Sequence, residues 1–266
     1  MNKNLFETIR NSWNSTMPLH QKINREIYDE AFKNRKFFVF SSDEKNFIEK
    51  YVNPKNKNVV QLCCNNGVEL MSFKNLGAND CLGIDICDEA IREAQKRCEN
   101  LCYNIDFVQT NVYDIGNQYN GKFDIIYISV GTIRWLPDLS LLFRICNSLL
   151  RKGGKVYISE VHPIAEIIND DRESNKSPLE IIYSYNHKVR VKDYGSLDYV
   201  GHTDLLKVER IWFLHSFTDI IGNMINNNFN IIYFEEFDKD IAHVYQTTSQ
   251  SSTRVSLSFK MISVKK

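Results

Sequence analysis

The 266-residue sequence has no excess of charge of either sign: 33 lysines and arginines face 33 aspartates and glutamates. It lacks the basic field on which non-specific nucleic-acid binding relies, so no nucleic-acid partner is expected. No apolar run is long enough to span a bilayer, so no membrane partner is expected either. The opening MNKNLFETIRNSW is polar and amphipathic rather than a signal peptide, and a cytoplasmic protein is expected. Nor is there an even set of cysteines. The seven present include the adjacent Cys63 and Cys64, a poor disulfide framework that fits a reducing compartment. Cys98 and Cys102 stand one helical turn apart, but no second cysteine or histidine pair nearby completes a four-ligand set, and no metal is expected. Internal repeats and low-complexity segments are absent.

What is present is a hydrophobic content of 43%, enough for one large domain or one domain with an appendage. Three helical segments are predicted first, over residues 3–14, 20–34 and 42–51, parted by Met17-Pro18 and by Ser41-Ser42. Serine followed by Asp43 and Glu44 suits a helix N-terminus at Ser42. Strands and helices then alternate: strand 58–63, helix 68–75, strand 81–84, helix 88–101 opened by Asp88, strands 105–109 and 123–129, helix 139–150, strand 155–160. Such alternation implies right-handed crossovers and a parallel sheet with its ligand at the strands' C-terminal ends. Residues 161–215 break the pattern. They are polar and tyrosine-rich, with strand-like runs at 181–185 and 208–213, and read as a lid insertion over the strand ends. A helix over 216–227 and strands over 231–237 and 254–262 complete the chain.

The stretch 59–85, VVQLCCNNGVELMSFKNLGANDCLGID, carries the most chemistry. It has the parts of a βαβ unit that cradles a nucleoside: an apolar strand, a tight turn ending in Gly67, a helix, a second strand and a terminal acid, Asp85, suited to ribose hydroxyls. Cys63 and Asn65 stand where such a turn usually has glycine. Asparagine tolerates left-handed dihedrals, whereas Cys63 is expected to keep a negative φ.

These residues resemble the class I S-adenosylmethionine-dependent methyltransferases. Val59-Val60-Gln61-Leu62-Cys63-Cys64-Asn65-Asn66-Gly67 is similar to V-L-D-L-G-C-G-T-G, and Leu82-Gly83-Ile84-Asp85-Ile86-Cys87 to V-x-G-I-D-x-S. Phe107-Val108-Gln109-Thr110-Asn111-Val112-Tyr113-Asp114-Ile115 resembles F-V-x-x-D-A-x-D-L, Phe123-Asp124-Ile125-Ile126-Tyr127 matches F-D-x-V-x, and Leu150-Arg151-Lys152-Gly153-Gly154 matches L-K-P-G-G. The likeness covers residues 57–160; no single piece is specific, but five in order are. It implies an α/β fold: a Rossmann-like, doubly wound, mostly parallel seven-stranded sheet with an antiparallel terminal strand. Residues 1–52 would form an N-terminal helical cap, 57–160 the cofactor-binding core, 161–215 the lid, and 216–266 a C-terminal helix and strand pair.

The resemblance further implies S-adenosyl-L-methionine as cofactor and a small-molecule methyl acceptor. Gln61, Cys63, Cys64, Asn65 and Gly67 of the turn would hold the cofactor, with Asp85 and Ile86 at the ribose, Asn111 and Val112 at the adenine, and Ser129, Val130 and Gly131 at the methionine part. Gln61 replaces an acid of the first strand, removing a charge that helps order the methionine ammonium. Trp135 is a candidate apolar wall; Arg134 attracts an acidic substrate or is simply solvated. The amino-methylating signature N/D-P-P-Y/F is absent after the fourth strand.

Candidates for a base are His162, directly after the fifth strand and pointing towards the cleft, and His215, between the lid and the next helix; His20 ranks behind them. Each has a structural alternative: a loop hydrogen bond for His162, a helix cap for His215. His187, His202 and His243 are expected in solvent. Tyr183, Tyr185, Tyr194, Tyr199 and Trp212 make the lid aromatic, which suits a planar or cationic acceptor and an ordinary packed lid alike. Two other functions stay open. A nicotinamide-dependent oxidoreductase would want G-x-G-x-x-G, which the turn does not supply. A non-catalytic methyltransferase-like binding or partner subunit would keep the fold and lose cofactor affinity.

Overall fold

The structure is a computed structural model that describes residues 3–168, 179–186, 189–201, 206–245, 248 and 255–266. One long helix, α1 (Lys3–Ala31), opens it, then α2 (Ser42–Phe47), which continues as a single π-helical turn over Ile48–Val52. Alternation follows as predicted: β1 (Val59–Leu62), α3 (Val68–Asn75), β2 (Cys81–Asp85), α4 (Asp88–Asn100), β3 (Asp106–Gln109), β4 (Phe123–Ile128), α5 (Leu139–Leu149) and β5 (Leu150–Val161). After these come β6 (Val189–Gly195), β7 (Val208–Leu214), α6 (Phe217–Asn226), β8 (Phe229–Phe237) and β9 (Ser258–Lys265).

Seven strands form one sheet in the order β3-β2-β1-β4-β5-β9-β8, parallel except for β9. Alternate residues of each central strand feed two apolar layers. Val60, Leu62, Ile126 and Ile128 pack with Leu142, Phe143 and Cys146 of α5 and with Ile220 and Met224 of α6. Val59, Ile125 and Tyr127 pack on the other face with Phe47 and Ile48, with Leu70, Met71 and Phe73 of α3, and with Ile91, Ala94 and Cys98 of α4. Period-two patterning within strands and a 3.6-residue stripe on the helices thus fix the doubly wound arrangement. Among the described residues no helix is long and apolar enough to cross a membrane.

Several expectations need correction. The predicted break at Pro18 does not occur: α1 runs through it. Proline removes one backbone donor, but the buried stripe Leu5, Phe6, Ile9, Ser12, Thr16, Met17 and His20 packs along α4 and β7 on both sides of it, and that burial outweighs one lost bond. The cap of α2 is Ser41, whose side chain accepts from the Glu44 N–H, rather than Ser42. Asp88 is the first residue of α4 and not its cap; it takes a bidentate hydrogen bond from Arg10 at 2.7 and 2.6 Å and a third from Asn14, which fastens α1 across the helix N-terminus. The antiparallel terminal strand is found as expected: it is β9, seated between β5 and the edge strand β8. Residues 181–185 are not a strand; Ile181 makes one isolated bridge to Ile168, while the hairpin partner of β7 is β6. Arg254, at the start of the predicted last strand, lies outside the described residues, as do His187 and His202.

Candidate active site

Strand order reverses between β1 and β4, and the crevice beyond their C-terminal ends is where an open parallel sheet binds its ligand. The turn from β1 to α3 lines one wall. Cys63, Asn65 and Gly67 all adopt left-handed backbone, with φ of 55°, 48° and 75°. The negative φ expected of Cys63 is therefore overturned. The turn's amides are tied down: the Cys64 N–H donates to the Ile84 carbonyl and the Gly67 N–H to the Cys64 carbonyl, each at 3.0 Å, and the Asn65 N–H is caught at 2.8 Å by Asp85 at the end of β2. Gly67 has no room for a side chain: a Cβ there would lie 2.6 Å from the Phe107 ring. Cys63 carries a left-handed penalty of about 1–2 kcal/mol that glycine would not. Cys63→Gly should therefore raise stability by about 0.5–1 kcal/mol, after the extra chain entropy glycine loses on folding. A urea-melt midpoint at or below wild type would contradict this account of the turn.

Asp85 is buried, and its second oxygen accepts from the Cys87 N–H at 2.8 Å. Burial pushes its carboxyl above the ordinary value, partly offset by these backbone donors. Asn111 accepts from the Tyr113 N–H and caps a short helical turn, with Val112 buried behind it and Ile86 half-buried beside the ends of β2 and β3. Ser129 is buried after β4, Val130 is exposed, and Gly131 (φ 81°) has open space where a Cβ would stand. Gln61 is wholly buried at the end of β1; its Nε2 donates to Ser129 Oγ at 3.1 Å and to Glu69 Oε2. The residues matched to the cofactor motifs thus gather along the ends of β1, β2, β3 and β4.

The histidines do not gather there. The expectation that His162 points into the cleft is not met. Its Nε2 meets Glu236 of β8 at 2.5 Å, its Nδ1 accepts from the Ile164 N–H, and its ring stands edge-on to Phe217. The cap expected of His215 belongs to Ser216, which forms a full capping box with Asp219. His215 Nε2 donates instead to the Leu136 carbonyl at 2.9 Å, tying β7 to the loop after β4. His215 also borders a cavity of about 20 Å³, room for one water, with Arg134, Glu160, Glu166 and Phe213. Arg134 is not solvated; it lies between Glu166 at 3.4 Å and the faces of Trp212 and Trp135. His20 is the histidine that reaches the turn's cover. It is buried 3.4 Å from Asp198, stacks edge-on with Tyr199, and Tyr199 Oη accepts from Asn65 Nδ2. Trp13 of α1 touches both Trp135 and Tyr199. The lid aromatics divide accordingly: Trp212 is core, Tyr185 accepts from the Phe217 N–H, Tyr194 is exposed, and Tyr199 lies over the turn. His243 is exposed as expected.

Two carboxylates were not anticipated. Glu160, at the end of β5, is buried and accepts from the backbone N–H groups of Gly131, Ile133 and Val161, which pins the loop after β4; an acid inside the apolar run 156–161 was the available signal. Desolvation lifts Glu160 to about 8 and Glu69 to about 7. Both lie above the unfolded value, so the folded chain holds the extra protons. Their stabilising share is complete below about pH 4.5 and is lost as pH rises through 7 and 8. Urea midpoints should therefore fall between pH 5 and 8.5, and Glu160→Gln should flatten part of that slope; a flat wild-type profile would contradict the assignment.

A family profile described as a methyltransferase domain matches residues 59–154. Among curated proteins the chain is 26% identical over 144 residues to the ubiquinone biosynthesis O-methyltransferase of Acinetobacter baylyi, covering 54% of this chain and 56% of that one. The chain spans about half the length of the curated relatives it matches. Among solved structures it resembles an S-adenosylmethionine-dependent methyltransferase from Mesorhizobium loti, with TM-score 0.60 and 17% identity over 80% of this chain and 92% of that one. It also resembles geranyl diphosphate C-methyltransferase from Streptomyces coelicolor, solved with S-adenosyl-L-homocysteine, with TM-score 0.57 and 12% identity over 84% of this chain and 78% of that one. At these identities the structural likeness shows the fold. Motifs in order, sheet order and profile match agree: residues 59–154 match a methyltransferase domain, in a chain whose fold is that of S-adenosylmethionine-dependent methyltransferases.

Proposed function

We propose that the protein transfers a methyl group from S-adenosyl-L-methionine to a small-molecule acceptor. The observation that carries this reading is the juxtaposition, at the adjacent C-terminal ends of β1 and β2, of the left-handed turn 63–67 with the buried Asp85. When bound, the cofactor supplies a methyl group on a sulfonium, already activated for displacement. The residues fit it. Asp85 retains lone pairs for ribose hydroxyls, Asn111 and Val112 would take the adenine, and Ser129, Val130 and Gly131 would floor the amino-acid end. Gly131 leaves open space there, which suits close approach of a ligand.

What remains for the protein is alignment and exclusion of water. Tyr199 bonds the turn at Asn65 and Trp13 packs against both Tyr199 and Trp135, and we read α1 with the β6–β7 hairpin as the cap and lid of the acceptor site. The enclosed aromatic cover and the balanced charge support a small acceptor over a nucleic acid. All seven cysteines are free, which supports a cytoplasmic setting. Of the two bases first considered, His215 beside Arg134 and Glu160 is the better placed, and His162 serves to fasten β5 to β8. Calorimetry with S-adenosylmethionine, S-adenosylhomocysteine and NAD tests the proposal. Binding of both sulfur ligands and not NAD is expected; folded protein that binds neither sulfur ligand would sink it.

A further inference from the structure

Gln61 poses a problem that the turn itself does not solve. It stands at the end of β1, where an acid would offset a ligand's positive charge, and a neutral amide offers no such charge. Glu69, in the first turn of α3, reaches back to it: Gln61 Nε2 donates to Glu69 Oε2 and to Ser129 Oγ. That leaves Gln61 Oε1 buried with no hydrogen-bond partner. A buried acceptor left unpaired costs about 1–3 kcal/mol, so the site calls for a donor. Beside it lies a carboxylate with no cation: among the described residues no lysine, arginine or histidine forms an ion pair with Glu69. The titratable groups that face it are Tyr28 from α1, Glu44 from α2, Cys64 from the turn, Tyr127 from β4 and Tyr199 from beyond β6. None of these carries positive charge.

We propose that Gln61 Oε1, the Glu69 carboxylate and Ser129 form a subsite for a primary ammonium group, and that the charge missing from β1 is supplied from α3. An ammonium has three donors and no acceptor, which matches an orphan amide oxygen beside an unpaired carboxylate and a hydroxyl. The inference rests on the proposed function, which makes that group the α-ammonium of S-adenosylmethionine. It adds a consequence. Desolvation holds the Glu69 carboxyl near 7, so a cation arriving there expels its proton. Cofactor binding near neutral pH is thus coupled to proton release through one residue, and affinity rises with pH from 6 to about 7.5, until a ligand α-amino group begins to lose its own proton.

The test is calorimetry of wild type, Glu69→Gln and Asp85→Ala with two nucleosides: S-adenosylhomocysteine, which carries the ammonium, and 5′-methylthioadenosine, which does not. Glu69→Gln should bind S-adenosylhomocysteine at least tenfold more weakly and methylthioadenosine within twofold of wild type. Titrations in buffers of different ionisation enthalpy should show proton release by wild type and none by the variant. Asp85→Ala should weaken both nucleosides. The exchange Gln61→Glu with Glu69→Gln should restore S-adenosylhomocysteine affinity to within threefold. The subsite is overturned if Glu69→Gln keeps wild-type affinity for S-adenosylhomocysteine, if it loses both nucleosides equally, or if the exchange restores nothing. Wild-type protein that binds neither nucleoside overturns the proposed function, and the subsite with it.

Discussion

Asp85→Ala should bind S-adenosylhomocysteine about 10–150-fold more weakly than wild type, a loss of about 1.5–3 kcal/mol. Two interactions disappear together. The variant has no charged acceptor for the ribose hydroxyls, and it also frees the N–H groups of Asn65 and Cys87, which Asp85 holds at 2.8 Å each. Because the first of these anchors a left-handed residue of the turn, part of the loss comes from a cradle that is no longer preorganised. Asp85→Asn should recover only part of the affinity. Its amide nitrogen would face a backbone N–H on one side whichever way it is turned. Wild-type affinity in Asp85→Ala would show that the ribose sits elsewhere and that the strand register assigned to the cofactor is wrong.

The second large effect concerns the scaffold. Arg97 of α4 is wholly buried; its guanidinium meets Asp29 of α1 at 2.6 Å, Glu93 one helical turn earlier, and the Asn66 carbonyl of the cofactor turn at 3.1 Å. Arg97→Met should destabilise the protein by about 3–5 kcal/mol, because the buried Glu93 is left without its counter-charge. Replacing both, Arg97→Met with Glu93→Met, should return most of that loss, since an apolar pair of similar volume escapes the desolvation of two charges. Urea melts measure both. A single variant within 1 kcal/mol of wild type would contradict the bridging role.

The region 57–160 was legible because each boundary there is set locally. Strands are short apolar runs buried almost throughout, as a parallel sheet covered on both faces requires, and Gly67 ends the turn, so local pattern and packed structure agree. Where tertiary contacts decide, the sequence was silent or misleading. Pro18 looks like a terminator until the stripe from Leu5 to His20 is seen buried on both sides of it. The segment 189–195, VRVKDYG, hides β6 because its outward positions are charged and its partner β7 lies more than ten residues on. Cys63 reads as a residue that needs a negative φ, yet the bonds around Asp85 hold the turn in its left-handed form.

The site shows the same division. Asp85 and Gly67 were expected from their positions in a βαβ unit, and Gly131 from the family resemblance after the fourth strand. Glu69 could not. In the sequence it is an ordinary acid in the first turn of a helix, where the macrodipole favours one, and only its hydrogen bond to Gln61 reveals a second use. His162 misled for the opposite reason. Its place after β5 suggested the cleft, but β9 and β8 pack alongside β5, and Glu236 draws the ring towards that edge.

In a crystal structure with S-adenosylhomocysteine, both ribose hydroxyls should lie on the Asp85 carboxylate, the adenine beside Asn111 and Val112, and the amino-acid end at Gln61, Glu69 and Ser129. A nucleoside bound away from Asp85, or one whose ribose lies on another strand end, would contradict the proposed cofactor site.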